Sequence, residues 1–269
     1  MSSLIVERQG DEAMADSVST VPAAAPKRDF PFYRGAPRSI SAIGWIVVLI
    51  FCALGFAALI APTPFLSGQI AHWVAVLLFV VLPLTGLRIA AGPDWRAMFP
   101  RLRWRDVGIG LAFVPVTVLT SAAVAVFFVK GGMTAANPVI GMLARMNPTD
   151  LAVFLASTLP QLLGEEIITI LPFLAVLTLL HQRLKLPRAA AILGAWIVSA
   201  VIFAALHLPT YGWHILQTLA VIGTARLALT LPFLITKNIW SSTIAHVTND
   251  WLLFAVIGGL TALKANGAL

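Results

Sequence analysis

Charge is what this 269-residue chain has least of: Asp, Glu, Lys and Arg together make up 11% of it, against 59% hydrophobic residues. A mean hydropathy of +0.92 excludes an ordinary soluble domain, in which about a quarter of the residues carry charge. Strand-like alternation is scarce too, and the apolar residues fall in long unbroken runs, which argues against a β-barrel. The one cysteine, Cys52, lies inside the first apolar run. It can form no intramolecular disulfide, and it lacks the electropositive setting that makes a thiol reactive. Residues 1–39 contain Glu7, Asp11, Glu12 and Asp16 and no apolar core, so they do not resemble a cleavable signal peptide. The basic residues lie in loops rather than among aromatic residues, and nucleic acid is not an expected partner.

The apolar runs that remain are about 20 residues long, the length a helix needs to cross roughly 30 Å of hydrocarbon. The expected fold is therefore all-α, a polytopic transmembrane bundle of seven or eight spans at 40–61, 69–90, 107–129, 151–180, 189–207, 212–236 and 239–263. Residues 1–39 read as a disordered cytoplasmic tail, acidic and then basic, and 40–264 as one helical membrane domain. The run 151–180 exceeds a single span, so 151–159 is expected to lie at the interface, with Pro160 near the start of the helix. Lys and Arg set the orientation. Fourteen fall on the side of the N-terminus, in the tail, at Arg88 to Arg105, at Arg183 to Arg188 and at Lys237. Three, Lys130, Arg145 and Lys264, fall on the other. The N-terminus is expected in the cytoplasm and the protein in a bacterial inner membrane. No internal repeat is visible.

Against this background Glu165 and Glu166 stand out, because a charged side chain at the centre of a bilayer costs about 2.5–3.5 kcal/mol on insertion scales. Neighbours in a helix point about 100° apart, so the two carboxylates face different surroundings. Two later helical patterns bring histidine: Phe203 to His207, and His246 to Asp250 with Asn249 beside it. Positions four apart share a helix face, so Phe203 can pack on His207, and His246 and Asp250 can line one cavity. His72, His181 and His214 lie near span ends and read as interfacial. There is no His-Glu-x-x-His, Gly-x-Gly-Asp or Gly-x-Ser-Gly motif.

These three motifs, Glu165-Glu166-x-x-x-Ile170, Phe203-x-x-x-His207 and His246-x-x-x-Asp250, resemble those of the CPBP intramembrane proteases, the Abi and Rce1-like group that includes CAAX prenyl endopeptidases. The resemblance covers about 105–260. It implies a membrane-embedded peptidase in which Glu165 and His207 activate water while His246 and Asp250 stabilise the oxyanion, with a membrane-associated peptide or protein as substrate. It requires no cofactor; were zinc used instead, Glu165, His207 and His246 would be its ligands. The family's motif ends in Arg where this chain has Ile170. Arg226, the only basic residue in the interior of a span, is expected to supply the missing cation, pairing with Glu166 or else with Asp250. Two other readings stay open: a catalytically degenerate scaffold or immunity protein, for which Ile170 is the argument, and a proton-coupled transporter. One geometric conflict accompanies the spans as drawn. His246 lies about 10 Å into its helix from the Lys237 end, whereas His207 is near the opposite end of its own.

Overall fold

The computed structural model describes residues 28–61, 66–130, 138–143 and 145–265. Every regular element among them is helical: α1 Ala42–Ile60, α2 Gly68–Ala91, α3 Trp104–Lys130, α4 Pro138–Leu143, α5 Pro148–Thr178, α6 Arg188–Leu206, α7 Gly223–Thr236 and α8 Ile239–Ala265. A 3₁₀ segment, Gly92–Met98, follows α2, and single π-helical turns, Leu179–Arg183 and Thr218–Ile222, extend α5 and precede α7. Six helical stretches of the described residues are long and apolar enough to cross a membrane, and α8, at 27 residues, is a seventh long helix.

The bundle is organised around α5. In the apolar window of the stretch Pro148–Arg183, 83% of residues are buried, against 17–44% in the other five stretches. Its neighbours are α2, α6 and α8. Close approach requires glycine at two places. A Cβ on Gly164 would lie 2.5 Å from the Phe79 ring, where α2 crosses α5 just before the glutamates, and one on Gly110 would lie 2.5 Å from the Ser241 carbonyl oxygen, where α3 crosses α8.

The fourth span begins earlier than the sequence suggests. Asn147 caps α5 by accepting from the Asp150 N–H, with Pro148 in the first turn. The helix then runs unbroken through Pro160 and Pro172, so 151–159 is continuous with the rest of it. Proline inside a helix frees a carbonyl and is tolerated where neighbouring helices hold the backbone, and α5 is enclosed on several sides.

Residues 28–39, assigned above to a disordered tail, are packed with Ile40 against the bundle; 1–27 lie outside the described residues. This strap sits across one end of the bundle. Phe30, Phe32 and Tyr33 are almost wholly buried. Phe30 meets Phe173 of α5 and Phe233 of α7 at ring-centroid distances of 5.3 and 5.6 Å. Arg28 bonds Asp106 of α3 at 3.2 Å and Arg188 of α6 bonds Asp29 at 2.8 Å. The reason is compositional: the stretch carries three aromatic residues among its charges, enough apolar surface to dock against a bundle end that presents the same.

Candidate active site

Four helices carry the motif residues to one place below Gly164. Glu166 of α5 and Arg226 of α7, both with fully buried side chains, form an ion pair with 2.6 Å between Oε1 and Nη1. The cation absent at position 170 thus comes from another helix, the pairing expected of Arg226. Its guanidinium is held further by Thr230, one turn on, which accepts from Nε at 3.2 Å, and it lies 5.0 Å from the centre of the Phe203 ring. Ile170 is fully buried in the apolar core.

The same Glu166 oxygen lies 2.9 Å from Nδ1 of His246. A carboxylate only accepts hydrogen bonds, so Nδ1 carries the proton and donates, which leaves Nε2 of a neutral ring with its lone pair. Nε2 faces two further carboxylates, Oε2 of Glu165 at 3.7 Å and Oδ2 of Asp250 at 3.9 Å. Gln161, one turn before Glu165, donates to its other oxygen at 3.3 Å. Asn249 donates to Asp250 at 3.0 Å. Glu166 and Glu165 therefore divide the work as their 100° offset requires: the first is sealed in the protein, the second remains 13% exposed, and Asp250 25%.

His207 is placed differently. It caps the C-terminus of α6, and its Nδ1 donates to the Phe203 carbonyl at 2.9 Å. Its imidazole packs against the Phe203 ring at a 42° tilt, 4.6 Å between centroids, and the same ring meets His246 edge-on at 6.3 Å. His207 thus adjoins the cluster through Phe203, whereas His246 is in it. The conflict between the ends of α6 and α8 is resolved at Phe203. Asn238 and the first turns of α8 are buried beneath the strap, with the Asn238 amide donating to Asp106 at 2.8 Å. His246 and His207 both meet one residue, the Phe203 ring.

Among the described residues no three His, Cys, Asp or Glu side chains form a group that could hold a metal ion. The set proposed for zinc, Glu165, His207 and His246, is not drawn together as ligands. Three residues of the cluster were not singled out in the sequence although periodicity points to them: Gln161 lies four before Glu165, Thr230 four after Arg226, and Thr158, which accepts from the Trp251 indole at 2.9 Å, ties α5 to α8 beside the site. The Nε2 of His72 lies 2.9 Å from the Ser157 hydroxyl.

Residues 147–252 match the family described as Type II CAAX prenyl endopeptidase Rce1-like. No curated protein and no solved structure matches the chain. The matched segment contains both glutamates, Phe203, His207, Arg226, His246 and Asp250, and this part of the chain is similar to the Rce1-like membrane proteases.

Proposed function

We propose that this protein is an intramembrane endopeptidase that hydrolyses a peptide bond with water activated by Glu165. The observation that carries the reading is that Glu165 Oε2 and His246 Nε2 face one another 3.7 Å apart. That separation is too long for a direct hydrogen bond and suits one water donating to both. Its oxygen lone pairs then point away from the two acceptors, toward a scissile carbonyl. As the oxygen attacks, one proton passes to Glu165, and the tetrahedral intermediate collapses when that proton reaches the leaving nitrogen. The water's second proton stays with the new carboxyl group, so the products are a carboxylic acid and an amine, which at neutral pH become carboxylate and ammonium. General base catalysis of this kind contributes about 10²–10⁴ in rate.

His246 orients the water, and the Glu166–Arg226 pair fixes its tautomer. This revises the role expected from the family resemblance. With Nδ1–H committed to Glu166, His246 can donate to an oxyanion only after Nε2 has itself taken up a proton. His207, at the end of α6 beside Phe203, and Asp250, on the same side of α8, line the approach. No metal takes part in this scheme. The Arg226–Glu166 pair also weakens the case for a degenerate scaffold, because that case rested on the motif's missing cation.

The substrate is a membrane-associated peptide or protein; the family's description makes a prenylated C-terminal segment one class to try. The test is digestion of a library of prenylated and unprenylated peptides by the purified protein in detergent. The wild type should cleave with EDTA present, His207→Ala should be impaired and Glu165→Gln nearly inactive. Inactivation by EDTA with recovery on adding zinc would overturn the metal-free mechanism.

A further inference from the structure

The end of the bundle beneath the strap is closed. From Glu166 to Ala175 every residue of α5 is buried, the Phe30, Phe173 and Phe233 rings fill the space below, and Lys237 covers the outer face of Phe30 at 4.3 Å. On the other side of the glutamates the burial is only partial, with Ser157, Thr158, Leu162 and Gly164 buried. Glu165, Leu163, Gln161 and Pro160 are partly exposed, as are Asp250 on α8 and His207 at the far end of α6. Three helices therefore agree that the site opens away from the strap and from the arginine-rich end.

In that direction lies a cavity of about 840 Å³ lined by residues of α2, α4, α5 and the turn after α4, among them His72, Met142, Arg145, Asp150, Phe154 and Ser157. Its lining reaches the site's helix at Ser157. Ser157, at its floor, Gln161 and Glu165 follow one another at intervals of four, and Gln161 is already bonded to Glu165. The eight residues from Ser157 to Glu165 correspond to about 12 Å of helix, the span of about four residues of extended polypeptide. The lining mixes a cation, a carboxylate and an imidazole with Phe154, Val153 and two methionines. It suits a peptide backbone and mixed side chains.

Resting on the peptidase reading, we infer that substrate reaches Glu165 through this cavity, from the membrane face opposite the N-terminal strap. With the basic end in the cytoplasm, the substrates are polypeptides whose cleaved segment is exposed on the non-cytoplasmic side, held extended between the cavity and the catalytic pair.

The test uses Val153→Cys, in the cavity lining, in a Cys52→Ser background of the full-length protein, reconstituted in vesicles whose orientation is fixed by protease protection of an N-terminal tag. A bulky membrane-impermeant maleimide should label the introduced thiol only from the side away from the tag. The labelled protein, once solubilised, should cleave peptide at least tenfold more slowly than the same unlabelled variant. Ile46→Cys, on the exposed face of α1, should show no difference between labelled and unlabelled enzyme. Labelling of Val153→Cys from the tag side, labelling from neither side, or unimpaired cleavage by the fully labelled enzyme would overturn the inference. Sided labelling reads access whether or not the protein cleaves. Should the unlabelled variants and the wild type all fail to cleave in detergent, the peptidase reading falls, and with it substrate entry through the cavity.

Discussion

At the scale of single residues, the consequential change is the transfer of a cation from position 170 to position 226. Breaking a fully buried pair from one side costs about 3–5 kcal/mol, so Arg226→Leu should lower the melting temperature markedly. Ile170→Arg alone should also destabilise, because it forces a second cation and extra bulk into a packed position, and overpacking by itself costs about 1–3 kcal/mol. The double substitution should recover part of the loss, with Glu166 then bonded one turn along its own helix. Thermal melts of the four proteins check this, and a double mutant no more stable than Arg226→Leu would show that position 170 cannot serve. Glu166→Gln should impair catalysis while leaving Glu165 in place, because a neutral amide binds Arg226 and orients His246 less strongly. Peptide turnover alongside a melt separates that effect from unfolding. The motif residues were legible in the sequence because each is an expensive polar group in an apolar run. The tautomer of His246 was not, since it depends on which of two adjacent carboxylates reaches Nδ1. The contact of Phe203 with His207 was legible from their spacing of four, but not that the same ring would also meet His246.

At the scale of elements, the strap is where the sequence reading and the structure part. Its charges suggest a solvated tail, yet its rings are buried and its acid is tied down. Burial works against the Asp29 carboxylate, but hydrogen bonds from the Phe30 N–H, Arg188 and Tyr33 outweigh it and hold the carboxyl below its ordinary value. A carboxyl whose folded value is lowered stabilises the docked state above its unfolded value and loses that contribution as pH falls through the folded one. The strap should therefore stay docked at neutral pH and loosen below about pH 4. Hydrogen exchange of residues 28–40 across that range checks it, with Asp29→Asn expected to exchange faster at pH 7 and to lose this acid dependence. Burial also lowers the Lys237 ammonium from its usual value, helped by the nearby Arg188. The long helices themselves were legible from length and hydropathy. The continuity of α5 through Pro160 was not, because it rests on packing by neighbouring helices.

For the molecule as a whole, the central helix, the closed basic end and the open opposite end make one arrangement: an apolar bundle that excludes water from Glu166 and Arg226 and admits it to Glu165. If Glu165 activates that water, its oxygen must end in the product. The most direct measurement is mass spectrometry of peptide cleavage in ¹⁸O-labelled water by the wild type and Glu165→Gln, both confirmed folded by melting. The account predicts one ¹⁸O in the new carboxyl group and a fall of at least about 10²-fold in rate for the variant. Cleavage by Glu165→Gln within a few-fold of the wild-type rate would contradict it.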